Sequence, residues 1–347
     1  MTLRLPAPLR PGDTVGITAS SSGLDTDAQR ARLDLVLADV RARGWQVREG
    51  RCLRHNQQHV SAPAAERAAE LMQMLLDPTL HAVVPPWGGE LATELLELLD
   101  WPRLRQATPK WVLGYSDTST LLMALTLRAG WATAHGPGLM DLAPTQADPL
   151  TLGVWPALGH DLARQPLVQQ SSAAHQIAWI PFETQVDAPF QLSQPTRWWR
   201  LDGREEPVQF SGRLIGGCLD TVCWLAGTPY GDVPGFIHQA GADGAVLYLE
   251  NVEMAPSTLL RCLLSLRRQG WFTGLRGLLV GRSTAPDEAA PSGLPAATAW
   301  QRALAGLDLP ALMDADLGHQ PPQMLLINGA LAHCAYARGQ AELSQRW

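Results

Sequence analysis

Apolar positions recur through the first half of the chain in two alternating rhythms. Short apolar runs at Val15–Ala19, Ala82–Val84 and Trp111–Leu113 have the length of buried strands, and the stretches between them carry one apolar face at helical spacing. Leu33, Val36, Leu37 and Val40 make one such stripe, on a segment that starts near Asp25 and stops at Gly44. Pro63 opens a second, with Ala68, Leu71, Met72, Leu75 and Leu76 facing inward. Further helices are expected from Glu90 to Leu99 and from Thr118 to Ala129. Strands alternating with helices of this length predict an α/β domain with a parallel sheet covered on both faces.

From about Leu142 to Pro207 the periodicity fades and Pro, Gln, Ser and Ala accumulate. The stretch still holds Trp155, Trp179, Trp198 and Trp199, more aromatic side chains than a disordered linker carries, so an ordered connector is expected. The second half then predicts a strand at Arg213–Ile215, a helix from Leu219, strands at Ala245–Leu249 and Leu278–Val280, and a long helix at Pro256–Arg268. Asn328-Gly329 between the apolar runs Met324–Ile327 and Ala330–Ala335 predicts a tight hairpin. The expected division is an α/β domain over residues 1–160, the connector over 161–207 and a smaller C-terminal domain over 208–347.

Composition narrows the classes of function. With 46% apolar residues in a chain of 347, a sizeable core is expected and disorder is excluded as the main state. The net charge is −6, and of the 27 basic residues only Lys110 is a lysine. No cluster of basic side chains stands ready to neutralise phosphates, so neither nucleic acid nor an anionic membrane is an expected partner. The five cysteines, Cys52, Cys218, Cys223, Cys262 and Cys334, are scattered and form no C-x-x-C pair, which argues against a zinc ribbon or a disulfide framework. The start of the chain lacks the apolar core of a secretion signal, and no apolar run approaches the ~20 residues that span a bilayer. A soluble, cytoplasmic protein is expected.

Four places carry candidate chemistry. Gly114-Tyr115-Ser116-Asp117-Thr118 lies between a strand and a helix, the sharp turn that exposes a nucleophilic serine at a helix N-terminus. Capping of that helix by Ser116 or Asp117 is the alternative use of the same residues. Gly88 and Gly89 form a second strand-to-helix turn whose backbone can approach a ligand; with the amide of Asp117 it would make an oxyanion hole. Glu250 ends the apolar strand Val246–Leu249, with Glu253 a rival three residues on, and His319 sits in a loop fixed by Gly318, Pro321 and Pro322. Together they supply nucleophile, base, orienting acid and oxyanion donors. Cys218 competes as nucleophile, but Cys223 and Trp224 follow on what reads as a buried helix, so Cys218 reads as a core residue, and His135 reads as structural or as a wall of the cleft. No spacing suits a metal, so neither metal nor cofactor is expected.

With these residues assembled, the chain resembles the LD-carboxypeptidase family of serine peptidases, which includes the microcin C self-immunity proteins. The resemblance rests on Arg10-Pro11-Gly12-Asp13-Thr14-Val15-Gly16, the Gly88-Gly89 turn, Gly114-Tyr115-Ser116-Asp117, His135-Gly136-Pro137, Gly212-Arg213-Leu214-Ile215-Gly216-Gly217, Gly227-Thr228-Pro229-Tyr230, Leu249-Glu250 and Gly281-Arg282. It implies a Ser116–Glu250–His319 triad, an oxyanion hole from Asp117 and the glycine turn, and a homodimer. It also implies a C-terminal domain with β-barrel character. The family's glycine turn often carries an arginine that would hold a substrate carboxylate; here Pro86 and Trp87 precede the glycines. The run from Glu250 to Ser257 looks closer to the immunity branch, in which a connector aromatic stacks on a nucleobase. Trp199, before Trp198, is the residue expected in that role. The resemblance thus implies cleavage of an amide bond beside a carboxylate-bearing residue, in a peptidyl or aminoacyl nucleotide or in a muropeptide ending in D-Ala. A non-catalytic module that binds a small peptide is the reading of another class.

Overall fold

The computed structural model describes residues 2–285 and 293–347. In the first half, β1 (Thr14–Ile17), β2 (Gln46–Glu49), β3 (Ala82–Val83), β4 (Trp111–Gly114) and β5 (Thr133–His135) run parallel in the order β5-β4-β3-β1-β2. The helix Asp27–Ala42 begins where Thr26 and Gln29 form a reciprocal capping box, and it buries Leu33, Val36, Leu37 and Val40. Burial of each such side chain contributes roughly 1.5–3 kcal/mol. The helix Ala64–Leu76 buries Leu71, Met74 and Leu75, while Met72 and Leu76 are only half-buried.

The connector holds β6 (Leu167–Gln170), a small ribbon of β7 (Ala174–His175) and β8 (Gln194–Pro195), and β9 (Trp199–Arg200). The remaining strands are β10 (Val208–Cys218), β11 (Ala245–Glu250), β12 (Leu275–Gly281), β13 (Ala311–Ala315), β14 (Leu326–Asn328), β15 (Leu331–Ala337) and β16 (Gln340–Arg346). They build a mixed sheet in the order β6-β16-β15-β10-β11-β12-β13-β9, with β10 to β13 parallel. Both edges of this sheet therefore come from the connector, which explains why an aperiodic stretch is ordered. The barrel character expected here takes the form of this one sheet, whose end strands are not paired with each other among the described residues.

Three expectations need correction. The segment from Glu90 to Leu99 is not an α-helix; it holds a short 3-10 turn at Ala92–Leu95, and the helix proper starts at Trp101 behind the Asp100 cap. The amide of Leu91 is bonded to Ser21 Oγ at 3.1 Å and that of Ala92 to Asp117 Oδ2 at 2.7 Å, so tertiary partners hold the start of the segment outside helical geometry. The helix from Leu219 is likewise a single turn, Leu219–Val222, running into the 3-10 turn Cys223–Leu225. Asn328-Gly329 does not close a hairpin. β14 adds antiparallel to β5 in the first sheet, whereas β15 pairs with β10 in the second, so the dipeptide is where the chain crosses between sheets. Asn328 is buried, accepting from the Tyr248 hydroxyl at 2.8 Å and donating to Thr133 Oγ1 at 3.0 Å. The tight hairpin lies instead between β15 and β16, at Arg338 and Gly339, both with positive φ.

One of three apolar clusters among the described residues spans the halves, in which Leu121 and Leu122 join Ile215, Leu219 and Leu249. No described helix is long and apolar enough to cross a membrane.

Candidate active site

Ser116 stands on the turn between β4 and the helix Thr118–Ala124, with φ at +57°, a conformation few non-glycine residues adopt. Such local strain persists only where surroundings enforce it. Here the carbonyls of Tyr115 and Ser116 already accept from Thr118 and Ser119, at 3.1 and 2.8 Å, which locks the turn. Asp117 occupies the capping position, yet its carboxylate does not bond the helix amides. It is buried and accepts from Ser21 Oγ at 2.6 Å, the Ala92 amide at 2.7 Å and Thr120 Oγ1 at 3.2 Å. Burial nevertheless raises its pKa, because those partners only partly replace the lost water.

The glycine turn presses against this corner. A Cβ added to Gly88 would sit 2.7 Å from Ser116 Cβ and 2.8 Å from the Asp117 nitrogen, so only glycine permits this approach. The amides of Gly88 and Asp117 donate to no protein acceptor among the described residues. Two free donors converging beside a serine can bind an oxyanion.

Glu250 ends β11, fully buried, and His319 lies in the loop after β13. His319 Nδ1 is 2.9 Å from Glu250 Oε2, and the His319 amide reaches the same oxygen at 3.3 Å. Gly318 lets the loop come this close, since a Cβ there would lie 2.3 Å from Glu250 Oε2. Burial opposes the charged forms of both groups most strongly. For Glu250 the charge and hydrogen bond of His319, helped by His135 and Cys218, outweigh it and hold the carboxyl below its usual range. For His319 the charge and hydrogen bond of Glu250, with Asp141 and Asp220 behind, raise the imidazole above 6.5. An ionised carboxylate accepting from Nδ1–H leaves Nε2 as the basic nitrogen. Glu253, the rival acid, is exposed on the following loop.

The His319 loop is pinned from below. Arg282, buried after β12, pairs with the buried Asp316 at 2.8 Å and donates to the carbonyls of Gln320 and Pro322. Asp316 also accepts from Ser172 and from the indole of Trp198. The ring of His319 packs on Tyr115, the neighbour of Ser116, with centroids 4.7 Å apart. Ser116 and His319 are brought to one corner of the molecule in this way, without a hydrogen bond between them among the described residues. Such bonds commonly close only around substrate.

A cavity of about 210 Å³ opens over Ser116, lined by Gly89, Glu90, Asp117, Cys218, Asp220, Thr221, Trp224 and Glu253 among others. Cys218 is buried, and desolvation plus the charges of Glu250 and Asp220 push its thiol well above the ordinary range, which favours the neutral thiol over a thiolate. His135 is buried beneath Glu250 against Tyr248, and burial lowers it to about 4. Trp199 lies on β9 with its indole donating to Asp314 at 2.7 Å, and Trp198 is fully buried; neither lines the cavity over Ser116. The connector aromatic beside the histidine is Trp179, 43% exposed, which donates to the His319 carbonyl at 3.2 Å. No local spacing in the connector singles it out from the other tryptophans.

Residues 15–136 match the LD-carboxypeptidase N-terminal domain and residues 211–334 the LD-carboxypeptidase C-terminal domain. A probable murein peptide carboxypeptidase of Bacillus subtilis is 27% identical over 79% of this chain and 73% of its own. The microcin C7 self-immunity protein MccF of Escherichia coli is 24% identical over 93% of this chain and 90% of its own. A solved structure of MccF in complex with aspartyl sulfamoyl adenosine superposes with a TM-score of 0.81 at 22% identity, covering 99% of this chain and 98% of that one. Matched across both of its domains, the chain belongs to the LD-carboxypeptidase family and is a serine hydrolase of the carboxypeptidase and amidase type.

Proposed function

We propose that Ser116, His319 and Glu250 hydrolyse an amide bond in a small peptidyl or aminoacyl nucleotide. The observation that carries this reading is the 2.9 Å contact between His319 Nδ1 and the buried Glu250, on a loop packed against the Ser116 turn. His319 Nε2 takes the proton of Ser116 as Oγ attacks the carbonyl carbon, and Glu250 stabilises the imidazolium. The amides of Asp117 and the Gly88-Gly89 turn receive the oxyanion. The imidazolium then gives its proton to the leaving nitrogen, the C–N bond breaks, and water, deprotonated by the same histidine, releases the acyl group and restores Ser116.

The nucleotide reading is favoured by the exposed ring of Trp179 beside His319, a flat apolar face available for a base, and by the likeness to a protein solved with aspartyl sulfamoyl adenosine. Among the described residues, no Arg or Lys lines the cavity over Ser116 to hold the terminal carboxylate of a D-Ala peptide. Removal of D-Ala from a muropeptide is the second reading, supported by the murein peptide carboxypeptidase among the relatives. Mass spectrometry of wild type beside Ser116→Ala, on a mixture of an L,D-tetrapeptide and an amide-linked aminoacyl adenylate mimic, separates them. Cleavage of the mimic by wild type alone supports the first reading, and loss of D-Ala alone supports the second. Cleavage of neither by folded protein favours a binding module.

A further inference from the structure

The cavity over Ser116 has a charge that a carboxylate-bearing substrate would not favour. Glu90, Asp220 and Glu253 line it, and no Arg, Lys or His does among the described residues. Asp220 is satisfied by neutral donors, the amides of Val252 and Glu253 at 2.8 and 3.0 Å, so its negative charge is not neutralised there. Glu90 has one cationic candidate, His59 at 3.5 Å, with both side chains about two-thirds exposed in a weak surface contact. Trp224 stands at the rim, 76% exposed, more than any other large apolar side chain described. It faces water on a one-turn 3-10 element next to the nucleophile, where packing gives no reason for an indole.

The cavity's role does not depend on its acids, because Ser116 and Gly89 line it too. What the acids and the indole decide is which substrate group fits. Carboxylates around an exposed indole are the combination that recognises an ammonium or guanidinium, by charge pairing and by the negative face of the ring. We infer that the cavity over Ser116 takes a cationic group of the substrate, a primary ammonium or a guanidinium next to the scissile amide, with Trp224 covering it and Glu253 and Glu90 pairing with it. This rests on Ser116 being the nucleophile of the proposed reaction.

The test uses amide substrates with one common reporter and a lysyl, norleucyl or glutamyl residue on either side of the scissile bond, assayed with wild type, Glu253→Gln, Trp224→Leu and Ser116→Ala. The expected result is a kcat/KM about tenfold or more higher for lysyl than for norleucyl in one of the two positions, with glutamyl lowest. Glu253→Gln and Trp224→Leu, both checked by thermal melting, should lower lysyl cleavage several-fold more than norleucyl cleavage, so that the lysyl-to-norleucyl ratio of kcat/KM falls towards one. Equal cleavage of the three, or a glutamyl preference, overturns the inference and leaves the hydrolase reading standing. If wild type cleaves none of them faster than Ser116→Ala, the hydrolase reading fails for these amides. Calorimetric binding to Ser116→Ala then decides the charge question alone: tighter lysyl than norleucyl binding supports the cationic site, and equal binding overturns it.

Discussion

The carboxylate of Asp117 lies 2.7 Å from the amide nitrogen of Ala92, so the residue that follows Ser116 also fastens the exit of the glycine turn. The same oxygen accepts from Ser21 Oγ at 2.6 Å, and Ser21 Oγ in turn accepts from the Leu91 amide at 3.1 Å. One side chain thus sets the distance between the two groups expected to bind the oxyanion. Asp117→Ala removes the oxygen that accepts from Ala92 and Ser21 and should loosen the turn. We expect kcat to fall with KM little changed, and thermal stability to drop by the ~1–3 kcal/mol of an unsatisfied buried donor. Steady-state kinetics and melting of the same preparation check both.

Gly88→Ala should act on chemistry more than on folding. Its methyl would meet Ser116 Cβ at 2.7 Å and the Asp117 nitrogen at 2.8 Å, which pushes the glycine turn away from the Ser116 turn. A loss of about 10²–10³ in kcat is expected, as for removal of one oxyanion donor, from protein whose circular dichroism matches wild type.

Arg282 and Asp316 form a buried pair beneath the His319 loop, and breaking a buried pair leaves a charge without a partner. Arg282→Met should therefore destabilise by ~3–5 kcal/mol. Arg282→Met with Asp316→Leu should recover part of that stability in denaturant titration but not the activity, because the carbonyls of Gln320 and Pro322 stay untethered.

The pH dependence follows from the Glu250–His319 pair. Because the histidine is raised above 6.5, the acid limb of kcat/KM should lie above that of an ordinary histidine, since the base must be neutral. Glu250→Gln should move that limb to lower pH and cut kcat. His135, lowered to about 4, is neutral across this range, while Asp141 and Asp220 add to the raising of His319. For stability the signs differ. Glu250 is lowered, so its contribution is present above the ordinary carboxylate range and fades as pH falls through its lowered value. His319 is raised, so its contribution is full below 6.5 and fades as pH rises through its raised value. Wild type minus Glu250→Gln should show the largest stability difference between those limits.

What could be read from the chain was local. The helix Pro256–Arg268 matches its expected bounds, and Asp27–Ala42 falls within two residues, because proline, capping side chains and apolar stripes act within a few positions. The Ser116 turn and the Gly88-Gly89 turn were visible for the same reason. The hairpin expected at Asn328-Gly329 was not, because a buried Asn328 serves Tyr248 and Thr133, 80 and 195 residues away in the chain. Arg282 could be noticed only as part of a matching motif; its reason is the tether to residues 316–322, which no local pattern reveals. Trp199 and Trp198 are the aromatics expected to stack on a base, and Trp179 is not among them, because position along the connector says nothing about which indole reaches the His319 loop.

If Ser116 carries the acyl group, intact-mass spectrometry during turnover of a slow activated ester will show it. A transient acyl adduct is expected on wild type, located on Ser116 by peptide mapping, absent from Ser116→Ala and longer-lived in Glu250→Gln. An adduct on another residue, or undiminished hydrolysis by Ser116→Ala, would contradict it.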